Sequence, residues 1–193
     1  NPKAVAKNVY NNNNLTVVAT GSVNIGGDTL QVGTGAGNTT GFMSIQGQNI
    51  TMGSSGGPEV IAVTGSGNQT FTATGTGGSG FIDIINSANS TVSITTGSGT
   101  QTFDTTLTTG GNGNLLIKSS NTGSGTGSVV VQSLTGAQVI NLNGGLTVEN
   151  GGSNSNAAAI ANLSANNGQT ITAKFVEVIA DGAATAGITN NLI

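Results

Sequence analysis

Gly99-Thr100-Gln101-Thr102-Phe103 is the clearest copy of a short phrase that recurs along this chain. In each copy a glycine precedes a glutamine, and a large apolar residue stands two places after the glutamine. The other copies are Gly47-Gln48-Asn49-Ile50, Gly67-Asn68-Gln69-Thr70-Phe71, Gly136-Ala137-Gln138-Val139-Ile140 and Gly168-Gln169-Thr170-Ile171. Successive glutamines are 21, 32, 37 and 31 residues apart. Spacings in this range predict a repeated structural unit.

The sequence around the phrase has the pattern of short β-strands separated by turns. Segments rich in β-branched and apolar residues, such as 81–85 and 115–118, alternate with glycine-rich runs such as 76–80 and 110–113. The alanine-rich segment 157–161 could form one helical turn, but a strand of small side chains is the favoured interpretation. We therefore expect an all-β fold.

Two all-β architectures fit this pattern: a β-solenoid (parallel β-helix), or a β-sandwich or jelly roll of the pilin-like kind. In a solenoid, equivalent positions of successive coils lie about 4.8 Å apart, so like residues stack on like. The repeat favours the solenoid. It predicts glutamines at the turn entering each strand, paired amide to amide, beside an inward apolar ladder of Ile50, Phe71, Phe103, Ile140 and Ile171.

The amino terminus differs from the rest of the chain. Residues 1–14 are predicted to form an extended strand and an Asn-rich tether, and residues 15–193 a single β-solenoid domain. One hypothesis is that this strand adds to the edge of a neighbouring subunit through Val5, Lys7, Val9 and Tyr10. The alternative is a frayed terminus without a role.

The composition argues against catalysis. The chain has no His, Cys, Trp or Arg, so it lacks a general base with a pKa near neutral pH and the usual zinc ligands. Charged residues make up 6%, against roughly 25% in ordinary domains. Four lysines are too few to bind nucleic acid, and the apolar bursts are too short to span a bilayer. We expect no enzyme activity, no cofactor, no nucleic-acid partner and no membrane insertion.

Two local patterns indicate candidate sites. Asp83 and Asp104 could meet across a groove as a glycosidase pair, although isolated carboxylates are more simply solubility and turn residues. The glycine-rich stretches 77–83 and 110–115 resemble the calcium-binding nonapeptides of secreted β-rolls. Because Ile82 and Leu115 stand where that motif needs aspartate, structural turns are the favoured interpretation.

Over residues 15–180 the repeat length and the Gly-, Asn- and Thr-rich strands resemble those of bacterial extracellular β-solenoid proteins, namely filamentous-haemagglutinin-like adhesins and autotransporter passengers. The resemblance, with the near absence of charge, implies a secreted protein that is extracellular or at the cell surface. The sequence shows no secretory signal, which favours a mature, exported form.

The expected function is that of a structural subunit of an extracellular or cell-surface filament, related in role to a fimbrium or pilus. Its partners would be copies of itself, joined head to tail through open β ends and the N-terminal strand. The alternative is an adhesin or carbohydrate-binding module of a larger surface protein, with host or matrix glycans as partners.

Overall fold

The computed structural model describes residues 8–10, 14–27, 29–33, 40–54, 59–77, 79–110, 113–120, 127–151, 157–181 and 184–190. Within these ranges there are 19 β-strands and no helix. The strands form three sheets in which every neighbouring pair is parallel, and the chain visits the sheets in the same order on each coil. The protein is therefore an all-β parallel β-solenoid, as the repeat predicts, and the sandwich alternative is wrong.

Each sheet contains every third strand of the chain. Sheet A comprises β1 (Asn8–Tyr10), β4 (Thr29–Val32), β7 (Glu59–Val63), β10 (Thr91–Thr96), β13 (Ser128–Ser133), β16 (Ala157–Asn162) and β19 (Thr185–Asn190). Sheet B comprises β2 (Leu15–Val18), β5 (Met43–Gly47), β8 (Gln69–Ala73), β11 (Gln101–Asp104), β14 (Gln138–Asn141) and β17 (Gln169–Thr172). Sheet C comprises β3 (Val23–Ile25), β6 (Ile50–Ser54), β9 (Ile82–Asn86), β12 (Leu115–Ser119), β15 (Gly145–Asn150) and β18 (Phe175–Ala180).

The three sheets enclose one continuous core. Successive side chains of a strand point to opposite faces. In β9, for example, Ile82, Ile84 and Asn86 are buried, whereas Asp83 and Ile85 are half-buried on the outer face. Because the same alternation recurs on each coil, apolar residues meet inside the solenoid along its length.

The structure decides the secondary structure of two segments, 157–161 and 171–179. The alanine-rich segment lies in strand β16, where Ala158 and Ile160 face the core. The segment 171–179 has the composition of one strand, but it is divided between β17 and β18, with a corner at Ala173 and Lys174.

The N-terminal strand belongs to sheet A. In β1, Val9 lies opposite Gln31 of β4, and Tyr10 lies opposite Val32. The sequence predicts a strand within residues 1–14 that is separate from the solenoid of residues 15–193. Strand β1 instead pairs with a strand of that solenoid. The remainder of the predicted tether, apart from Asn14, lies outside the described residues.

Candidate functional site

The core column of sheet B contains four of the five residues predicted for the apolar ladder. Phe71 lies opposite Phe103, Phe103 opposite Ile140, and Ile140 opposite Ile171. The two phenylalanine rings stack with centroids 5.1 Å apart and an interplanar angle of 16°. This offset stacking is one of the favourable arrangements of aromatic side chains. Like side chains therefore lie on like across successive coils.

The prediction that Ile50 is the fifth member of this column is wrong. Ile50 begins a strand of sheet C, where it lies opposite Val23 and Ile82. Its place in the core column is taken by Ile45, which lies opposite Phe71.

The first copy of the phrase misled the prediction because its glutamine, Gln48, lies in the corner between β5 and β6. The residue opposite Gln69 is Met43, which is 26 residues earlier in the chain. The alternation Met43-Ser44-Ile45 is the signal that could have revealed this register, since it has the same inward positions as Gln69-Thr70-Phe71.

The glutamine column consists of Gln69, Gln101, Gln138 and Gln169, which lie opposite one another in sheet B. From Gln101 onward, each amide nitrogen donates to the amide oxygen of the preceding coil: Gln101 Nε2 to Gln69 Oε1 at 2.8 Å, Gln138 Nε2 to Gln101 Oε1 at 2.7 Å, and Gln169 Nε2 to Gln138 Oε1 at 2.5 Å. The first three side chains are fully buried, and Gln169 is half-buried. Burial of an amide is tolerated because its polar atoms are paired.

In three copies of the phrase, the glycine (Gly67, Gly99 or Gly136) is explained by the close approach of neighbouring coils. A Cβ atom on Gly99 would lie 2.0 Å from the carbonyl oxygen of Gly67, and a Cβ on Gly136 would lie 1.8 Å from that of Gly99. None of these three glycines has a positive φ. The requirement is therefore for space at the corner that precedes sheet B.

Glu59 is a carboxylate buried inside the solenoid at the start of β7. Its Oε2 atom accepts a hydrogen bond from Gly27 N at 3.1 Å, and its Oε1 atom has no partner. Burial raises the pKa of Glu59 to about 7, although backbone hydrogen bonds from Gly27 and Gly53 oppose this shift. Because Glu59 projects into the core, it offers no open site for a substrate.

The two carboxylates considered as a glycosidase pair belong to different sheets. Asp83 lies on the outer face of sheet C, where burial raises its pKa. Asp104 lies in sheet B and accepts hydrogen bonds from the backbone nitrogen and hydroxyl of Thr106, at 2.8 and 2.6 Å. The glycosidase reading is therefore not supported by this arrangement.

The two stretches that resemble calcium-binding nonapeptides lie between a strand of sheet B and the next strand of sheet C, and each runs into that strand. Gly77 and Gly80 have φ angles of 62° and 98°, and Gly80 N donates to Asn49 Oδ1 at 2.6 Å. Across the described ranges, no group of three or more His, Cys, Asp or Glu residues could hold a metal ion.

At the carboxyl-terminal end, the inward positions of sheet C are exposed, whereas Ile171 of sheet B and Ile188 of sheet A are half-buried. In sheet C the column that contains Leu146 ends at Val176, and the column that contains Val148 ends at Val178. Leu146 and Val148 are fully buried, whereas Val176 is 51% exposed and Val178 is 48% exposed. In the part of the chain that the structure describes, no strand covers Val176 and Val178, so the last described coil presents these core positions to solvent.

The opposite end is partly covered. Leu15, Val17 and Ile25 of the first strands of sheets B and C are half-buried and pack against the core. Of the residues predicted to contact a neighbouring subunit, Val5 and Lys7 lie outside the described residues. Val9 and Tyr10 lie in β1, whose backbone is paired with β4 of the same chain.

No described segment forms a helix with the length and hydrophobicity needed to cross a membrane. No protein-family model matches this chain, and no curated protein or solved structure gives a significant match to it.

Proposed function

We propose that this protein is a structural subunit that assembles end to end with copies of itself into a filament, outside the cell or at its surface. The observation that carries the proposal is the exposure of Val176 and Val178, whose counterparts one coil earlier are fully buried. Covering two half-exposed valines contributes about 1 kcal/mol each. The extracellular location is supported by the composition and by the resemblance to surface β-solenoids.

The backbone supports the same proposal. Among the described residues, β17, β18 and β19 are the outermost strands of their sheets, so each has one edge with which no other described strand pairs. Such edges offer unpaired donors and acceptors that can pair with another chain. All three strands run parallel to their neighbours, so a second copy in the same orientation can continue all three sheets. A head-to-tail contact that does not close produces an open fibre.

A carbohydrate-binding module of a surface adhesin is the second candidate. It is favoured by a groove of about 290 Å³ on the outer face of sheet C, lined in part by Phe81, Asp83 and Asn114. An aromatic ring beside a carboxylate and an amide can contact both the faces and the hydroxyl groups of a sugar.

Electron microscopy of the purified protein at increasing concentration tests the proposal. We expect fibres of uniform width. Val178→Lys should abolish them, because the contact would have to bury an unpaired charge in an apolar column. Ile179→Lys is the matched control, since Ile179 is the next residue of β18 and lies on the outer face.

Two outcomes would contradict assembly through the carboxyl-terminal end. One is a monomer that persists in sedimentation at the highest attainable concentration. The other is equal fibre formation by both lysine variants, which would place the contact away from the carboxyl-terminal end. Glycan binding without fibres, lost on Asp83→Asn, would establish the second candidate instead.

A further inference from the structure

Sheet A has seven strands, whereas sheets B and C have six each. The described part of the chain begins in sheet A with β1 and ends in sheet A with β19. From β2 onward the strands form six consecutive triplets in the order B, C, A. Strand β1 precedes the first of these triplets, and no described strand of sheet B or C comes before it.

The pairing within the chain determines how a second copy can continue the sheets. Each strand of the last triplet pairs with the corresponding strand of the triplet before it: β17 with β14, β18 with β15, and β19 with β16. In a copy stacked by the same rule, β2 would pair with β17 of the first copy and β3 with β18. Its β4, which follows β3, would then meet β19. In the single protein, that edge of β4 is occupied by β1.

We propose that β1 is a displaceable cap on the edge of β4, and that β19 of the preceding copy takes its place when two copies stack. The inference rests on the proposed end-to-end assembly and specifies its contact. Strand β1 pairs with β4 over three residues, whereas β19 has six residues and can pair with all four of β4. The replacement therefore exchanges a shorter ladder for a longer one.

The inward residues of the two ends support this register. When the observed columns are followed from the last coil into the first coil of a second copy, four contacts join apolar to apolar side chains. They are Ile171 with Val17, Val176 with Val23, Val178 with Ile25, and Ile188 with Leu30.

Two contacts in the same register are mixed: Gln169 would meet Leu15, and Asn190 would meet Val32. The mixed pairs lie in sheets B and A, while both pairs in sheet C are apolar. Apolar contacts therefore predominate, and they occur in all three sheets. A second copy of this chain fits the end, because its first coil has the spacing and the side chains that continue the columns.

The cap is tested by locking β1 in place. Val9 and Gln31 lie opposite each other, and neighbouring strands are about 4.8 Å apart, within the Cα separation that a disulfide spans. The chain has no cysteine, so the double variant Val9→Cys, Gln31→Cys can form a single intramolecular bridge. We expect the oxidised variant to remain monomeric at concentrations where the unmodified protein forms fibres, and reduction to restore the fibres.

The double variant Ala159→Cys, Gly187→Cys is the matched control. It joins the same kind of opposite positions in the same sheet, between β16 and β19, which stay paired in the stack. This variant should form fibres in both redox states.

The possible failures are distinguishable. Fibres formed by the oxidised Val9→Cys, Gln31→Cys protein would overturn the cap and leave end-to-end assembly in place. Absence of fibres from the unmodified protein and from every reduced variant would overturn both. If the bridge between positions 9 and 31 did not form under oxidation, the pairing of β1 with β4 would itself be contradicted.

Discussion

At the scale of single residues, the glutamine column sets the register of sheet B. Gln101 donates to Gln69 and accepts from Gln138, and all three side chains are fully buried. An apolar residue in the same place would fit any apolar neighbour, whereas a buried amide is satisfied only when it meets its partner. The column therefore penalises any slip of one strand against the next.

Replacement of one amide in the middle of the column should be costly. Gln101→Met keeps the length of the side chain but leaves the buried Nε2 of Gln138 without its acceptor. We expect a loss of about 1–3 kcal/mol in the free energy of unfolding, measured by chemical denaturation.

Gln169→Met provides the control for this prediction. Gln169 is half-buried at the end of the column, and the substitution removes only one donor from Gln138 Oε1. Its cost should be below that of Gln101→Met. Equal losses for the two variants would mean that the hydrogen bonds between amides do not stabilise the stack.

Glu59 should make the stability of the protein depend on pH. Its pKa is raised by burial to about 7, against 4.5 for an ordinary glutamate, so the folded state binds the proton more tightly than the unfolded chain. The stability should therefore be highest below pH 4.5 and should fall as the pH rises through 7. The shift corresponds to roughly 3 kcal/mol.

Glu59→Gln should remove most of this decline, because the amide has no charge to lose. Denaturation at pH 5 and pH 8 would measure the difference, with Glu177→Gln at the exposed end of the solenoid as the control. Part of the decline should remain, since burial also raises the pKa of Asp83. An unchanged slope in Glu59→Gln would show that Glu59 is hydrated in solution.

At the scale of elements, the corners control how closely the coils approach. Three glycines that precede strands of sheet B, Gly67, Gly99 and Gly136, are needed for spacing, since a Cβ atom on each would collide with the carbonyl oxygen of the neighbouring coil. Backbone atoms cannot move aside as the end of a flexible side chain can.

Gly99→Ala should therefore destabilise the protein by about 1–3 kcal/mol, even though Gly99 has no positive φ. Thermal denaturation would measure the loss. Gly168→Ala is the control, because a Cβ at Gly168 meets no atom within 4 Å. That variant should be neutral or slightly stabilised, since alanine restricts the unfolded chain. A loss of equal size at Gly168 would point to conformational freedom instead of contact.

Some elements could be predicted from the sequence and others could not. The strands that contain Phe71 and Phe103 follow from alternation and from the phrase itself. The prediction for Ile50 is wrong because residues 47–50 have the same local pattern as the other copies of the phrase but lie at a different corner of the coil. The coils differ in length: equivalent positions are 26 residues apart from Met43 to Gln69 and 37 residues apart from Gln101 to Gln138. Spacing alone therefore cannot identify equivalent positions.

At the scale of the whole molecule, both ends of the solenoid consist of one strand from each sheet, but only the amino-terminal end has a further described strand, β1, on one of its edges. The carboxyl-terminal end exposes complete strands of all three sheets, whereas the amino-terminal end has β1 on sheet A. The lysine substitution at Val178 and the disulfide between positions 9 and 31 test these two ends separately. Together, the two experiments test whether the last coil of one copy pairs with the first coil of the next copy.

The sequence by itself determined that the protein is all-β, favoured a solenoid over a sandwich, and placed four residues, Phe71, Phe103, Ile140 and Ile171, in one column. When like side chains stack on like in successive coils, the same residue types recur along the sequence, so the stacking can be predicted from the sequence alone. Only the tertiary structure decided the place of Ile50, the pairing of β1 with β4 and the exposure of the last coil. Those depend on which strand lies beside which, because edges and ends are set by contacts between residues that are distant in the chain.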